Sequence, residues 1–396
     1  MKKVFIFLLF LFFFQVTYAQ FKSGLVWHEV KDMIQICNSF TYLELYDDDS
    51  VILPDGYKKE FTSGTLGMDN KFQVYIKGEN EAAVLNFRGS TDQELSWLAN
   101  FKSAMIPAKG QIKIQSEAYD YDLSDDSTAA VHSGYLLGLA YLHQSVLMQI
   151  KYLNAIGIYD IYITGHSQGG SLAALMMVYL DRLGPEMISD KNQFKMYAFA
   201  NPMIGNKSFV DEYNLEYAKK GWSFSFIIPS DIVPKLPISY EEGTLSSKEI
   251  HALVDGEIDR MDFLSNILFN SLNRKVTRFV DTMSSRAESR IVNELGSVEM
   301  PKHRNEINYY PIGNRFELPP VEYPKVLKDS SILKSDSLLN KISIDPATGH
   351  VVNKHFYKKE PMFFQHKPHN YYLSLMKTYF RQEYDVIRPE ILPENL

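Results

Sequence analysis

The sequence predicts an α/β fold in which a mostly parallel central sheet carries helices on both faces. Strand-like apolar segments alternate with helical segments from about residue 70 to residue 230, and this alternation is typical of a parallel sheet that is covered on both sides. The stretch IYITGHSQGG, beginning at Ile161, also joins a β-branched and aromatic run directly to a helical pattern through a glycine-rich corner. These two observations determine the predicted fold class.

The individual elements can be assigned in chain order. KFQVYIKGENEAAVLNF, starting at Lys71, indicates a β-hairpin that turns at Gly78, Glu79 and Asn80. Residues 135–150 have the periodicity of an amphipathic helix, which precedes the strand 161–164 and its helix. MYAFANP and WSFSFIIPSDIVP then predict two further buried strands, with a charged helix at 207–220 between them.

The corner itself has the pattern G-x-S-x-G, with Ser167 between Gly165 and Gly169. This pattern places a serine at the apex of a sharp strand-to-helix turn, where its hydroxyl projects toward a substrate. The alternative is an ordinary βα turn that contains a serine by chance. Because a buried strand precedes the corner and a helix follows it, the sequence favours Ser167 as a nucleophile on an α/β-hydrolase fold.

Five motifs extend this interpretation. NFRGS (86–90), VHSGY (131–135), ITGHSQGGSLA (163–173), FANPMIGN (199–206) and PSDIVPKLP (229–237) occur in one order along the chain. In that order and spacing the chain resembles the class 3, or fungal-type, lipase family over about residues 60–240, and again near His369. The family often has leucine directly after the nucleophile, where this chain has Gln168. The resemblance implies an α/β-hydrolase that uses a Ser-His-Asp triad.

An oxyanion hole must accompany a serine nucleophile. One expected donor is the backbone N–H of the residue after the nucleophile, Gln168, and the other comes from the loop after an earlier strand. AAVLNFRGS ends such a strand, and Ser90 matches the family's oxyanion motif, so that its N–H and its hydroxyl are both candidate donors. The alternative for Ser90 is an ordinary Gly-Ser loop at the end of a strand.

Chain order restricts the other triad members, because the acid follows the serine and the histidine follows the acid. Asp231 lies just beyond a predicted strand, whereas Asp211 lies in a polar helix. A capping role in a proline turn is the alternative for Asp231. His369 begins the last predicted helix and is the preferred base, with His366 as its nearest rival; either histidine could instead be a capping residue.

Two regions are expected to control access to the site. Residues 91–107 follow the oxyanion loop and resemble the lid of these lipases, with Trp97 and Leu98 able to face either the site or a lipid surface. An ordinary helix packed on the sheet would explain the same pattern. An insertion at about 243–350 is predicted to be mainly helical, from apolar spacing over 258–295. This insertion could form a cap over the site, or it could be a structural addition without a role in access; the sequence supports the two interpretations equally.

The N-terminal sequence predicts export. Residues 1–19 combine Lys2 and Lys3 with the apolar run 4–14 and a small residue, Ala19, as a cleavable signal peptide does. The expected mature chain, 20–396, is one α/β-hydrolase domain without a transmembrane segment. It has 39 basic and 48 acidic residues, a net charge of −9, which argues against nucleic-acid binding. Cys37 is the single cysteine, so no intrachain disulfide forms.

The sequence therefore predicts a secreted or periplasmic serine acyl hydrolase. It is expected to be a triacylglycerol lipase or lipid esterase that acts on a lipid or ester substrate, dissolved or at a lipid–water interface. No metal or cofactor is expected, because the acidic stretches lack the ligand spacing of a calcium loop and acyl transfer needs neither. A carboxylesterase, a feruloyl-type esterase or a phospholipase on the same scaffold is the alternative. A non-catalytic lipid- or glycan-binding protein is the alternative of a different class.

Overall fold

The computed structural model describes residues 21–90, 104–237, 295–304, 306, 308–328, 353–361 and 363–387. The predicted signal peptide, Trp97, Leu98 and residues 258–294 of the predicted helical stretch 258–295 lie outside the described residues. The helices are α1 (Trp27–Tyr46), α2 (Ser133–Ala155), α3 (Gln168–Asp181), α4 (Lys207–Tyr213, continued by a π-helical turn Asn214–Ala218), α5 (Pro368–Tyr379) and α6 (Arg381–Tyr384), with 3₁₀ turns at Val233–Lys235 and Lys354–Phe356.

The strands build one large sheet and two small ones. They are β1 (Tyr57–Thr62), β2 (Phe72–Lys77), β3 (Ala82–Phe87), β4 (Met105–Pro107), β5 (Lys109–Ile114), β6 (Glu117–Asp122), β7 (Ala130–His132), β8 (Asp160–His166), β9 (Gln193–Phe199), β10 (Ser223–Ile227), β11 (Val298–Glu299) and β12 (Asn314–Glu317). The large sheet has the order β1-β2-β3-β8-β9-β10-β12. It is antiparallel from β1 to β3 and parallel from β3 to β12.

Side chains alternate between two cores, one on each face of this sheet. On one face Leu85 of β3 and Ile163 of β8 pack with α2 and α3. On the other face Val84 and Tyr162, one residue earlier on the same strands, pack with α1 and α5. Alternation along a strand sends successive side chains to opposite faces. Burying each large apolar side chain stabilises the fold by roughly 1.5–3 kcal/mol, and both helical layers are therefore held by the same strands.

This architecture confirms the predicted α/β-hydrolase fold and the hairpin at 71–87, in which β2 and β3 pair antiparallel. Some of the described strands also lie within the regions that the sequence assigned to the lid and the insertion. The predicted lid, 91–107, ends in β4, which pairs with β7, while residues 91–103 are outside the described part of the chain. β12 lies inside the predicted insertion, yet it pairs with β10 as the edge of the large sheet. Its alternately exposed residues, NRFE, lack the apolar run that identifies a buried strand from sequence.

Within the described ranges no helix is both long enough and apolar enough to cross a membrane.

Candidate active site

Ser167 occupies a sharp corner between β8 and α3. Its backbone has φ 57° and ψ −131°, a conformation that a residue with a side chain adopts only when the surrounding structure imposes it. The Ser167 N–H donates to the carbonyl of Phe199 on β9, at 2.9 Å. The corner therefore holds the serine at the carboxyl end of the parallel strands, as the sequence predicts.

Two glycines make this corner possible. A Cβ at Gly165 would overlap the backbone of Gly169, and a Cβ at Gly169 would overlap the backbone carbonyl of Phe87 at the end of β3. Because strand, helix and the loop after β3 meet without side chains between them, the serine and this loop are brought together.

His366 connects Ser167 to an aspartate. Its Nε2 lies 2.8 Å from the Ser167 Oγ, and its Nδ1 lies 2.8 Å from Oδ2 of Asp231. Because an ionised carboxylate only accepts hydrogen bonds, Nδ1 carries the proton that is donated to Asp231. Nε2 is then the acceptor for the Ser167 hydroxyl. This is the arrangement in which a histidine takes a serine proton as a general base.

Asp231 is held by three donors at the end of β10. Its Oδ1 accepts the Val233 N–H at 3.0 Å, and its Oδ2 accepts the Tyr371 hydroxyl at 2.7 Å in addition to His366. The carboxylate is buried, with 1% of the residue exposed. Each hydrogen bond limits the rotation of the carboxylate, and Asp231 is thereby oriented toward the imidazole.

The prediction that His369 is the base is wrong, because His366 and not His369 lies between Ser167 and Asp231. His369 lies in the first turn of α5, and its ring packs near Tyr42 and Tyr372 in the core. Burial lowers the pKa of His369 to about 4, with a further contribution from the charge of Lys367. The rival residue His366 precedes α5 in a turn, where its backbone N–H donates to Phe363 O at 3.1 Å.

Sequence periodicity contained a signal for this outcome. His369, Tyr372 and Met376 follow the three- and four-residue spacing of one buried helix face. A residue on that face points into the core, whereas a residue in the turn before the helix can reach the carboxyl edge of the sheet. Tyr371 was not identified from sequence, because nothing in a single tyrosine indicates that its hydroxyl meets a carboxylate 140 positions earlier.

Ser90 and Gln168 do meet at the site. The Ser90 hydroxyl donates to Oε1 of Gln168 at 2.8 Å, and Gln168 is the first residue of α3. The proton of that hydroxyl is therefore engaged by the Gln168 side chain. The backbone N–H groups of Ser90 and Gln168 are the candidate oxyanion donors, and the N-terminus of α3 adds its partial positive charge.

His166 lies beside the triad without joining it. Its ring centroid is 4.8 Å from that of His366 and 5.6 Å from that of Tyr371. Burial lowers the pKa of His166 well below its ordinary value, and the neighbouring His366 contributes. A neutral ring at this position is compatible with an imidazolium forming on His366, since like charges would oppose it.

Across the described ranges no group of three or more His, Cys, Asp or Glu side chains is arranged to hold a metal ion. The site as described consists of a serine, a histidine, an aspartate and two backbone N–H candidates. On an α/β sheet this constellation defines the α/β-hydrolase class.

Comparison with known proteins finds one matching family model and several relatives. Residues 84–241 match the model of Lipase (class 3), so this segment of the chain is similar to the class 3 lipase family. It is 34% identical over 79 residues to Lipase ZK262.3 of Caenorhabditis elegans, covering 20% of this chain and 21% of that protein. It is 30% identical over 138 residues to Phospholipase A1-Ialpha2, chloroplastic, of Arabidopsis thaliana, covering 32% of this chain and 27% of that protein.

A third relative, Galactolipase DONGLE, chloroplastic, of Arabidopsis thaliana, is 29% identical over 138 residues, with 32% of this chain and 28% of the relative covered. The chain therefore spans only about a quarter of the length of these curated relatives. Among solved structures, a fungal lipase–inhibitor complex is 20% identical with a TM-score of 0.41, covering 54% of this chain and 74% of the other. A lipase from Rhizopus microsporus var. chinensis is 20% identical with a TM-score of 0.38, covering 54% and 71%.

Proposed function

We propose that the protein is an exported serine acyl hydrolase that cleaves carboxylic esters of lipids. The observation that supports this most directly is the placement of His366, with one ring nitrogen 2.8 Å from the Ser167 hydroxyl and the other 2.8 Å from the Asp231 carboxylate. The similarity of residues 84–241 to the class 3 lipase family favours a lipid as the source of the ester. Export rests on the sequence of residues 1–19.

The proposed reaction proceeds in two halves. Ser167 Oγ attacks the ester carbonyl carbon while His366 Nε2 takes the hydroxyl proton, and the resulting oxyanion accepts hydrogen bonds from the backbone N–H groups of Ser90 and Gln168. The tetrahedral intermediate collapses as His366 returns the proton to the leaving alcohol. Water, deprotonated by His366, then hydrolyses the acyl-enzyme and releases the acid. Asp231 keeps the imidazole in the required tautomer and stabilises the imidazolium.

Two measurements test this proposal. A fluorophosphonate probe should label Ser167 alone, as located by mass spectrometry of the labelled peptide. The Ser167→Ala variant should hydrolyse p-nitrophenyl butyrate with a kcat reduced by on the order of 10⁴ to 10⁶, because the triad members act as a unit. Labelling at another residue, or a variant that keeps most of the activity, would remove Ser167 as the nucleophile.

The substrate class within lipids is a second question. Triacylglycerol is the proposed substrate, and a phospholipid or a galactolipid is the alternative, because two relatives are named as a phospholipase and a galactolipase. Initial rates on dispersed trioctanoylglycerol, phosphatidylcholine and monogalactosyldiacylglycerol, with Ser167→Ala as the blank, would rank the three. A higher kcat/KM on either polar lipid would replace triacylglycerol in the proposal.

A further inference from the structure

We infer that the Gln168 side chain is a positioning residue that fixes the oxyanion loop, Arg88–Ser90, before substrate binds. This inference rests on the proposed function, since an oxyanion loop has meaning only in an acyl hydrolase. It concerns the amide of Gln168, whereas the catalytic contribution proposed above comes from its backbone N–H. A substitution of the Gln168 side chain removes the positioning role and keeps the backbone N–H, so the two roles can be tested separately.

The Gln168 amide lies in the middle of a chain of hydrogen bonds. Its Oε1 accepts the Ser90 hydroxyl at 2.8 Å, and its Nε2 donates to Oδ1 of Asn70 at 3.3 Å. Gln168 and Asn70 are each 2% exposed. A buried amide without hydrogen-bond partners is unfavourable, so this orientation is favoured over one that releases Ser90.

The other end of the loop is held by the same part of the chain. The Arg88 guanidinium donates to the Asp69 carbonyl at 2.5 Å and pairs with the Asp69 carboxylate at 2.8 Å. Asp69 and Asn70 belong to one tight turn, which two backbone hydrogen bonds between Leu66 and Asn70 close at 2.9 Å each. This turn therefore contacts the loop at two points. Asp69 binds Arg88 directly, and Asn70 binds Gln168, which in turn binds Ser90.

The middle of the loop has little room to move. A Cβ at Gly89 would stand 2.8 Å from the carbonyl oxygen of His166 and 3.3 Å from Cβ of Ser167. The loop backbone thus packs directly on the nucleophile corner. An N–H that is already oriented when charge develops on the substrate stabilises that charge without reorganisation. If Ser90 is released, the loop must be ordered again during the reaction, and the net stabilisation of the oxyanion becomes smaller.

The test compares Gln168→Leu, Ser90→Ala and the double variant in steady-state hydrolysis of p-nitrophenyl butyrate. Leucine keeps a similar volume but removes both hydrogen bonds of the amide. Each single variant should lower kcat about 10-fold with KM changed less than about 2-fold, because a group acting in the transition state affects kcat. The double variant should be no slower than the slower single variant, because both substitutions remove the same hydrogen bond, the one between Ser90 and Gln168. Additive losses would overturn the inference.

Three controls separate positioning from general damage. Ser171→Ala removes another buried hydroxyl-to-carbonyl bond in α3, to Pro202 at 2.9 Å, and should leave kcat unchanged. Ser90→Thr, which keeps the hydroxyl, should recover most of the activity lost in Ser90→Ala. The affinity for a boronic acid, which mimics the tetrahedral adduct on Ser167, should fall in Gln168→Leu by the same factor as kcat/KM.

The outcomes also distinguish this inference from the proposed function. An unmodified protein that neither hydrolyses esters nor reacts with a fluorophosphonate would defeat the proposed function. An active, labelled protein whose Gln168→Leu variant keeps the original kcat and boronic acid affinity would defeat only the role of the Gln168 side chain.

Discussion

The hydroxyl of Tyr371 donates to Oδ2 of Asp231 at 2.7 Å, on the same oxygen that receives the His366 Nδ1–H. The tyrosine oxygen in turn accepts the backbone N–H of Ile228 at 3.1 Å, at the end of β10. Burial and the neighbouring Asp231 raise the pKa of Tyr371 well above its ordinary value. The hydroxyl therefore remains protonated and a donor at neutral pH.

Tyr371→Phe should shift the pH dependence of catalysis. Removing this donor leaves more negative charge on Asp231 for the imidazolium, so the protonated form of the base becomes more stable and the acid limb of kcat/KM should move to higher pH. We expect kcat at the optimum to fall by less than about 10-fold, because the triad itself is intact. Tyr372→Phe, one residue away in the core, is the matched control and should leave the profile in place. An unchanged acid limb in Tyr371→Phe would contradict this coupling.

Substitution of the two neighbouring histidines should have opposite effects on activity. His366→Ala removes the group that bridges Ser167 and Asp231, and kcat should fall by on the order of 10⁴ or more. His369→Leu should retain most of the activity, since that ring contacts neither residue. Both variants should be compared with the unmodified protein on p-nitrophenyl butyrate, with circular dichroism as a check of folding. Loss of activity in His369→Leu with a native spectrum would return the role to His369.

His369 should make stability dependent on pH. Its pKa is about 4 in the fold and about 6.5 in an unfolded chain, so between these values the unfolded state binds the extra proton. The contribution of this group to the free energy of unfolding is fully present above pH 6.5 and is lost as the pH falls to 4. The loss amounts to about 3 kcal/mol.

His369→Leu tests this directly. Neither nitrogen of the buried ring has a hydrogen-bond partner in the described part of the chain, so leucine leaves no new unsatisfied group. The urea midpoint of the variant should change less than that of the unmodified protein between pH 7 and pH 5. Equal changes in the two proteins would assign the pH dependence to other groups.

Gly169→Ala should disrupt the nucleophile corner. Its Cβ would overlap the Phe87 carbonyl, which belongs to a strand backbone and cannot move aside as a flexible side chain could. We expect a destabilisation of about 2 kcal/mol or more, with a fall in kcat because the loop after β3 is displaced. Gly64→Ala is the control, since a Cβ there meets nothing within 4 Å. Equal urea midpoints for the two variants would contradict the close packing of β3 on α3.

The sequence by itself determined the strands β2, β3, β8, β9 and β10, the helices α2, α3 and α4, and the position of the nucleophile. β-branched and aromatic runs, helical periodicity and the glycines around Ser167 are local signals, because each depends on backbone conformations that neighbouring residues impose. Asp231 also followed from local signals, since it comes directly after a buried strand and the carboxyl ends of parallel strands meet at one edge.

Only the tertiary structure decided between His366 and His369. The two residues lie three positions apart. Helical spacing places His369 on the buried face of α5, but which side chain reaches Asp231 depends on how α5 packs against α1 and the sheet. The same holds for Tyr371 on Asp231 and for Gln168 between Ser90 and Asn70. These contacts join residues 140, 78 and 98 positions apart, and a hydrogen bond over such a separation exists only because the cores on both faces of the sheet bring its two partners together.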